Sequence, residues 1–335
     1  MPLILRMNSF LRCLNSFCVV CTIMLVVNAQ QLFAQNNKLA GYGIEVNPSL
    51  GKVIKHNYIF PHVPGQSYAL DINVLKRTTG NKEWQVRRKN PLVGLGITYT
   101  NYGIDSIYGQ CFGVYPVLEL PIVRGEKLEW TCRFGLGVGY VTKRFERYPS
   151  WDTVNNLIGS HLNNFTLFTT QLRYKASHNL HVHAGFNFSH LSNGSFRLPN
   201  LGINMYGGHA GVRYFPVTDA PQERNVQAPQ LPNRWMVQAR IGVGMTEFNN
   251  VDGPMYPVYA ATVYASRRYG SRNKILAGID YSYFTSAHAF MRLNEVEVGN
   301  ERANSWEGVI FVGHEFMFGR LGIVAQVGVP FRHTA

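Results

Sequence analysis

Residues 179–190 read NLHVHAGFNFSH, and this stretch decides how the fold is interpreted. Every second position from Val182 to Phe188 carries an apolar residue, while the positions between them are polar or small. Successive side chains of a β-strand point to opposite faces, so the alternation predicts a strand with one apolar and one polar face. A soluble sheet with one solvated face shows the same alternation, so this stretch alone leaves two classes of β protein open.

The same alternation recurs along the chain, interrupted by turn signals. Beyond residue 35 no stretch has the ~18 uninterrupted apolar residues of a membrane-spanning helix, and helical periodicity is weak. The chain is therefore predicted to be all-β. Thirteen strands are predicted, at residues 41–57, 66–77, 91–102, 107–121, 128–145, 162–175, 180–192, 203–215, 234–247, 256–268, 274–286, 305–318 and 320–332.

The composition separates the two classes. Charged residues make up 15% of the 335 residues, below the ~25% that is usual for soluble domains. Aromatic residues make up 13% and hydrophobic residues 46%. This mixture disfavours disorder and a soluble helical enzyme, and it favours a β protein that presents apolar side chains to something other than water.

The N-terminus has the pattern of an export signal. Arg6 and Arg12 give a positive start, residues 13–27 are mostly apolar, and Ala29 follows as a small residue. This pattern predicts a signal peptide over 1–29, with cleavage after Ala29 or as late as Ala34. The alternative is a membrane-spanning anchor, although the apolar core is shorter than the ~20 residues that a span needs.

Export, aromatic content and long strands together predict an antiparallel transmembrane β-barrel of about 12–16 strands. In lipid every backbone polar group must be paired, and a closed barrel achieves this without a free edge. Bacterial single-chain barrels have an even number of strands, so a count of thirteen implies a miscount or a chain that lacks its last strands. We expect the second.

The chain is predicted to divide at a polar, proline-containing connection. Residues 36–216 would supply the strands that carry the site, 217–233 the connection, and 234–335 further strands of the same barrel. A boundary between two domains at this connection is the alternative.

Connection lengths predict the orientation in the membrane. Short connections near 123–127 and 176–179 would be periplasmic turns, and longer ones at 146–161, 193–202 and 286–304 would face outward. The connections at 78–90 and 216–233 do not follow this pattern.

Two cysteines remain after the expected signal peptide. Cys111 and Cys132 could form a disulfide in an exported protein. The turn predicted near Arg124-Gly125 would not place them opposite each other, so buried free thiols are the alternative.

The segment FSHLSNGSFRLPNLGIN, residues 188–204, carries the candidate chemistry. His190 and Ser192 share one strand face, and a histidine beside a serine can accept the hydroxyl proton to generate a nucleophile. Both continue the apolar parity of their strand, so they are predicted to face outward, toward lipid. Asn204 belongs to the alternate positions of the next strand that are predicted to face outward, and a cross-strand contact with His190 is expected. The alternative is a polar rim followed by ordinary turn residues.

At these residues the sequence resembles a known family. The pattern His190-x-Ser192-Asn193-Gly194, followed by Pro199-Asn200-x-Gly202-Ile203, is similar to the signature of the outer-membrane lipid A 3-O-deacylases of the PagL type and of bacterial acyloxyacyl hydrolases. The run from Ile158 to Asn163 is also similar. The stretches His56–His62 and Pro91–Tyr99 are similar more loosely, and the resemblance covers roughly residues 50–216.

The resemblance implies an integral outer-membrane hydrolase that removes an ester-linked acyl chain from lipid A or lipopolysaccharide without a cofactor. Ser192 would be the nucleophile and His190 the general base. Asn193, with the backbone N–H groups of Gly194 and Ser195, would form the oxyanion hole. The surrounding residues expected to support these groups are His161, Asn163 and Asn200.

Two positions depart from the family pattern. Asn204 stands where the family has a glutamate as third member of the triad, and no Asp or Glu lies between Asp152 and Asp219. Either a loop acid such as Asp152 reaches the site, or the enzyme is slow, or activity has been lost, because replacing the acid of a serine triad costs ~10⁴ in turnover. The second departure is Ser195, which stands where the family pattern has a glycine.

Other chemistries fit the sequence less well. His181 and His183 face away from His190 on their predicted strand, which disfavours a shared metal ion. Gly135-x-Gly137-x-Gly139 is followed by more strand rather than by the helix that a dinucleotide loop requires. No metal is expected.

The net charge of +13 raises nucleic acid as a partner. Export argues against that partner, and basic rims suit the phosphates of lipopolysaccharide or are simply solvated. The remaining alternatives are a non-catalytic barrel with a decayed site and a diffusion channel. The oligomeric state is left open.

Overall fold

The computed structural model describes residues 39–55, 65–147, 154–217, 232–248 and 251–334. The expected signal peptide, the stretch 56–62 and Asp152 lie outside these residues, as does most of the connection at 217–233.

Thirteen strands lie within the described residues, as predicted. They are β1 (Tyr42–Val53), β2 (Ser67–Arg77), β3 (Leu92–Asn101), β4 (Gln110–Arg124), β5 (Leu128–Val141), β6 (Leu162–Lys175), β7 (Leu180–Ser192), β8 (Ile203–Tyr214), β9 (Trp235–Glu247), β10 (Met255–Tyr269), β11 (Asn273–Phe284), β12 (Trp306–Phe318) and β13 (Leu321–Arg332). The described connections contain three short α-helices, α1 (Glu83–Arg87), α2 (Asp105–Tyr108) and α3 (Thr285–Leu293), and a 3₁₀ turn at Ala303–Ser305. In the part of the chain that is described, no helix is long and apolar enough to cross a membrane.

The first eight strands form a closed antiparallel barrel. Each pairs with its neighbour in sequence, and β8 returns to pair with β1, with Val46 opposite Val212. The predicted class, an antiparallel transmembrane β-barrel, is confirmed.

The two ends of the barrel differ. At one end, called the turn end here, Gly125 donates its N–H to the carbonyl of Leu128 (2.9 Å) in the β4–β5 turn, and a short turn also joins β6 to β7. The connection that contains α1 lies at this end. At the opposite end, called the site end, the strands are joined by longer connections, among them the residues between Ser192 and Ile203.

The strand faces follow the alternation read from the sequence. On β7, His181 and His183 point inward and are each only 4% exposed, whereas Phe186 on the opposite face is 72% exposed. The apolar surface is therefore on the outside of the barrel and the polar surface inside, as a barrel in lipid requires.

A buried ion network fills the middle of the barrel. Arg213 donates to Glu45 (2.8 Å) and to Glu119 (2.7 Å), and Arg133 donates to the same two carboxylates at 2.9 and 2.6 Å. All four side chains are at most 1% exposed. An eight-stranded barrel is just wide enough for its side chains to fill it, and these residues do so.

Toward the site end the interior becomes apolar. Phe165 of β6, Leu191 of β7 and Ile203 of β8 pack in one cluster with Leu157 and Ile158 of the β5–β6 connection. These last two residues place that connection over the barrel mouth, directly beside the loop between β7 and β8.

The remaining five strands correct one prediction. They do not join a single barrel of 12–16 strands but form a separate sheet in the order β13-β12-β11-β10-β9, which we call the second sheet. The physical reason is that pairing of β8 with β1 closes the first ladder, so that β9 has no strand of the barrel left to pair with. Within the described residues, β9 and β13 each have one paired neighbour.

The second sheet contacts the barrel at both ends. At the site end, Glu247 at the end of β9 forms an ion pair with Arg147 of the β5–β6 connection (2.9 Å). At the turn end, Arg88 next to α1 donates to the carbonyl of Met317 on β12 (3.2 Å), and Trp84 meets Phe318 edge to face. The sheet therefore runs alongside the barrel.

Both cysteines are free thiols. Cys111 is paired with Val141, whereas Cys132 is paired with Leu120 of the same ladder. Since both cysteines belong to the β4–β5 ladder but lie far apart along it, no disulfide joins them.

Candidate active site

The outward face of β7 ends in the two residues that carry the predicted chemistry. His190 stands opposite Asn204 of β8 on one side and opposite Thr166 of β6 on the other. Ser192 lies two residues further, opposite Asn164. Both side chains are partly exposed at the rim, while Leu191 between them is 1% exposed and faces the interior.

His190 is held by the amide of Asn204, as the strand parity predicted. Its Nδ1 lies 2.7 Å from Asn204 Oδ1. An amide oxygen only accepts, so Nδ1 carries the hydrogen in this contact, and in the neutral imidazole Nε2 is then the nitrogen with a free lone pair. The imidazole is thus oriented and fixed in the tautomer that can accept a proton at Nε2.

Ser192 is bonded to its own loop in this structure. Its hydroxyl lies 3.0 Å from Asn200 Nδ2, which donates to it, and Gly194 N donates to the same oxygen at 3.2 Å. Asn200 Oδ1 also accepts from the backbone N–H of Asn193 (3.0 Å). Among the described contacts, Ser192 Oγ has no hydrogen bond to His190. Asn200 therefore touches the serine itself and does not merely support it.

The turn that follows Ser192 has an unusual backbone. Gly194 and Ser195 both adopt a left-handed conformation, with φ of 64° at each. Glycine takes this conformation without strain, while serine does so at a cost. This backbone brings the N–H of Gly194 back toward Ser192 Oγ.

The side chain of Asn193 binds the turn together. Its Nδ2 donates to Ser160 Oγ (2.8 Å) and to the carbonyl of Arg197 (2.9 Å). Its Oδ1 accepts from the N–H of Arg197 at 3.3 Å. Of the three residues expected to form the oxyanion hole, Gly194 is the one whose N–H reaches Ser192, while the amide of Asn193 is engaged elsewhere.

The two remaining supporting residues have different placements. Asn163 accepts from Ser160 Oγ at 2.9 Å, and Ser160 in turn contacts Asn193, so Asn163 reaches the turn through one intermediate. His161 Nδ1 instead lies 2.7 Å from the carbonyl of Val141 and its ring stacks on Tyr140. His161 thus fastens the start of β6 to the end of β5.

Gly202 is a site residue whose role only the structure shows. A side chain there would approach His190 Cε1 to 3.2 Å and Ser192 Cβ to 3.7 Å, and the backbone φ of 76° also favours glycine. The glycine keeps space open between the two reactive residues. It was part of the recognised sequence pattern, but its position against His190 was not apparent from spacing.

Sequence reasoning missed Arg147 and Glu247. Glu247 accepts from the N–H of Leu198 at 2.5 Å, at the end of the Ser192 turn. The hydrogen bonds that Arg147 donates to Glu247, only partly offset by burial, raise the pKa of Arg147, so this guanidinium stays charged. Glu247 lies more than forty residues beyond the recognised pattern, on a strand of another sheet, and no local signal marks it.

A shared metal site is not formed in the described part of the chain, where no three His, Cys, Asp or Glu side chains converge. His183 Nε2 lies 3.2 Å from Asn47 Oδ1 inside the barrel, whereas His190 is bonded to Asn204 outside. The barrel wall separates them.

A closed barrel with an amide-oriented histidine and a serine on its outer rim defines a membrane-barrel protein with a hydrolase-like site. Two family models match the chain: lipid A 3-O-deacylase (PagL) over residues 70–213, and the acyloxyacyl hydrolase C-terminal domain over residues 233–335. Together they span more than half of the chain: the first covers the barrel from β2 to β8, and the second covers the second sheet. The chain belongs to this PagL-type deacylase and acyloxyacyl hydrolase family, which confirms the resemblance.

Several solved outer-membrane proteins match part of the chain at low identity. The outer membrane enzyme PagL is 16% identical, with 50% of this chain and 97% of that chain covered and a TM-score of 0.33. Neisserial surface protein A is 13% identical, with coverages of 52% and 97% and a TM-score of 0.34. The outer membrane protein Ail of Yersinia pestis is 12% identical, with coverages of 52% and 99% and a TM-score of 0.28. No curated protein matches the sequence.

Proposed function

We propose that this protein is an integral outer-membrane esterase that hydrolyses an ester-linked acyl chain of lipid A. The observation that carries the proposal is the contact of His190 Nδ1 with Asn204 Oδ1 at 2.7 Å, on the same outward face as Ser192. It leaves His190 Nε2 available to accept a proton on the strand face that also carries the Ser192 hydroxyl, and nucleophilic acyl transfer needs these two groups together.

In the first step Ser192 Oγ attacks the ester carbonyl while His190 Nε2 takes the hydroxyl proton. For this the serine side chain turns from Asn200 toward the imidazole when substrate enters. Collapse of the tetrahedral intermediate breaks the bond between the acyl carbon and the sugar oxygen. His190 then returns its proton to that oxygen, which leaves an acyl-enzyme and a free sugar hydroxyl.

In the second step water attacks the acyl carbon while His190 takes a water proton. The bond between the acyl carbon and Ser192 Oγ then breaks, His190 returns the proton to Oγ, and the fatty acid leaves. The negative charge of both intermediates falls near the N–H of Gly194, which already points at Ser192 Oγ (3.2 Å). A preorganised donor of this kind contributes about 3–4 kcal/mol. Ser195 N is the next candidate donor, and Asn193 acts by holding the turn.

Asn204 changes the energetics of this mechanism. An amide orients the imidazole but does not offset the positive charge that develops on it, and loss of the acid in a serine triad costs ~10⁴ in turnover. We therefore expect a slow enzyme. Asp152 lies outside the described residues, so its participation stays a prediction.

The outward location of the site fits the proposed substrate. The scissile ester of a lipid lies at the boundary between headgroup and acyl chains, and the site sits at the rim of an apolar outer wall formed by residues such as Phe186 (72% exposed) and Tyr206 (54% exposed). A lipid then reaches Ser192 without leaving the membrane.

Two observations favour a second candidate, a non-catalytic barrel with a decayed site. Ser192 is bonded to Asn200 rather than to His190, and the third position is an amide. A diffusion channel is disfavoured, because the network of Glu45, Glu119, Arg133 and Arg213 fills the barrel interior.

The test is lipid A mass spectrometry from a lipopolysaccharide-bearing host that expresses the protein. We expect one acyl chain to be lost with the intact protein and retained with Ser192→Ala or His190→Ala. Thr166→Ala is the matched control, since it removes a hydroxyl directly beside His190 on β6 without touching the proposed machinery. If all profiles match the empty host while the protein is present in the outer membrane, the non-catalytic barrel is the better account.

Asn204→Glu tests the third position separately. A carboxylate would stabilise the imidazolium, so we expect turnover to rise by a factor between about ten and the ~10⁴ that removal of the acid costs in a serine triad. A variant that folds but hydrolyses no faster would show that His190 does not work through this partner.

A further inference from the structure

A carboxylate from the second sheet reaches into the turn that follows Ser192. Glu247 is the last residue of β9, and its side chain is fully buried. Its carboxylate accepts from the N–H of Leu198 at 2.5 Å. The backbone N–H of Glu247 also donates to the carbonyl of Ser195 at 3.1 Å. One residue thus holds two points of the turn at 194–198, through its side chain and through its backbone.

Arg147 completes the attachment from the other side. Its guanidinium donates to both oxygens of Glu247, at 2.9 and 3.1 Å, and to the carbonyl of Leu198 at 2.9 Å. A fork of this kind fixes direction as well as distance. Leu198 therefore has its N–H on the carboxylate and its carbonyl on the guanidinium. Thr246 Oγ1 adds a bond to the Ser195 carbonyl at 3.2 Å.

The attached turn is the one whose backbone N–H points at the proposed nucleophile. Gly194 and Ser195 both adopt a left-handed backbone conformation. Serine does not favour this conformation by itself. Within the turn, Asn193 binds to Arg197, which closes the loop but leaves its position relative to β7 to outside contacts. Ser160 supplies one such contact at Asn193, and the Glu247–Arg147 pair supplies those at Ser195 and Leu198.

We propose that Glu247 is a positioning residue, through which the second sheet holds the turn and so places the Gly194 N–H for oxyanion stabilisation. This inference rests on the proposed function. Glu247 touches no reacting atom and acts through Leu198 and Ser195. The second sheet then contributes to the site on the barrel, although all residues of the recognised pattern lie on the barrel.

The test compares Glu247→Ala with Glu247→Gln in the full-length protein reconstituted with lipid A. We expect Glu247→Ala to lower kcat about tenfold or more with KM changed less than about twofold, because oxyanion donors act in the transition state. Glu247→Gln keeps an acceptor for Leu198 N and should recover most of the lost kcat. Glu315→Gln, which alters an ion pair with Lys274 elsewhere on the same sheet, is the matched control and should keep wild-type kinetics.

Amide hydrogen exchange gives a readout that does not depend on activity. We expect Glu247→Ala to speed exchange at residues 194–198 while the strand amides of β7 and β8 stay protected. Unchanged exchange together with unchanged kcat would overturn the inference, as would faster exchange with wild-type kcat in an active enzyme.

The two proposals fail separately. If wild-type protein hydrolyses no lipid A, the proposed function fails. Hydrogen exchange then still decides whether Glu247 holds the turn, and only the catalytic part of the inference falls with the function. If Ser192→Ala is inactive and Glu247→Ala is fully active, the function stands and the positioning role is wrong.

Discussion

The barrel and the second sheet are built from the same kind of strand but differ in closure. Both have an apolar outward face, seen in Ile97 of β3 and in Ile241 of β9, which are 49% and 92% exposed. In the barrel every strand has two paired neighbours, whereas β9 and β13 each have one within the described residues. Alternation therefore determines which face is apolar but not whether a sheet closes.

Closure decides how far the side chains of the polar face are shielded from solvent. Inside the barrel, Arg213 and Glu45 are fully buried and bonded at 2.5 Å. On the corresponding face of the second sheet, Lys274 and Glu315 pair at 2.9 Å but are 11% and 16% exposed. Since a buried charge depends on its partner far more than an exposed one, the same residue types carry different weight in the two regions.

The largest contrast is expected from removal of one charge in each region. Arg213→Met leaves Glu45 and Glu119 in the barrel interior with one cation fewer, and should lower the free energy of unfolding by about 3–5 kcal/mol. Lys274→Met should cost less, because the side chains of Lys274 and Glu315 keep 11% and 16% of their surface in solvent. Urea unfolding in lipid vesicles, followed by tryptophan fluorescence, measures both. Equal losses of unfolding free energy would show that the two charge pairs are equally shielded from solvent.

Arginine on the outward faces tests whether both regions meet lipid. Ile97→Arg at the middle of β3 should cost about 2–4 kcal/mol, as charges do near the membrane midplane. Ile241→Arg at the middle of β9 should cost a similar amount if its face also lies in lipid. The same unfolding assay applies, and a silent Ile241→Arg beside a costly Ile97→Arg would place the outward face of β9 in water.

Substitutions at two glycines compare how closely the two regions are packed, with smaller expected effects. A side chain at Gly137 of β5 would come within 2.1 Å of the Val114 carbonyl, so Gly137→Val should cost about 1–3 kcal/mol by overpacking. At Gly242 of β9 nothing lies within 4 Å, and Gly242→Val should stay within about 0.5 kcal/mol of wild type. A substantial loss at Gly242 in the unfolding assay would indicate that a neighbour covers β9.

The smallest effect is expected where the two regions meet at the turn end. Arg88 donates to the carbonyls of Met317 and Arg272 and lies over the ring of Phe318, and its loss should cost about 1 kcal/mol. Arg88→Ala should therefore speed trypsin cleavage after Arg320 in the β12–β13 turn. Lys127→Ala, at the same end of the barrel, is the control. Cleavage at the wild-type rate in Arg88→Ala would mean that this contact does not hold the sheet.

Much of the site could be predicted because it depends on local alternation. His190 and Ser192 share a face by spacing, and the turn between β7 and β8 places Asn204 opposite His190. Asn200 was underestimated, since the turn folds back so that its amide meets Ser192 directly. His161 was expected at the site, but a backbone carbonyl within reach, that of Val141, holds it at the end of β5.

The sequence by itself determined the strand positions, the face of each side chain and the family, because alternation and the site pattern are properties of neighbouring residues. Only the tertiary structure decided that the ladder closes after eight strands and that Glu247 meets the turn after Ser192. Closure depends on the stagger accumulated over all strands, and the Glu247 contact depends on how two sheets lie side by side. Neither the accumulated stagger nor the placement of the two sheets can be read from a short stretch of sequence.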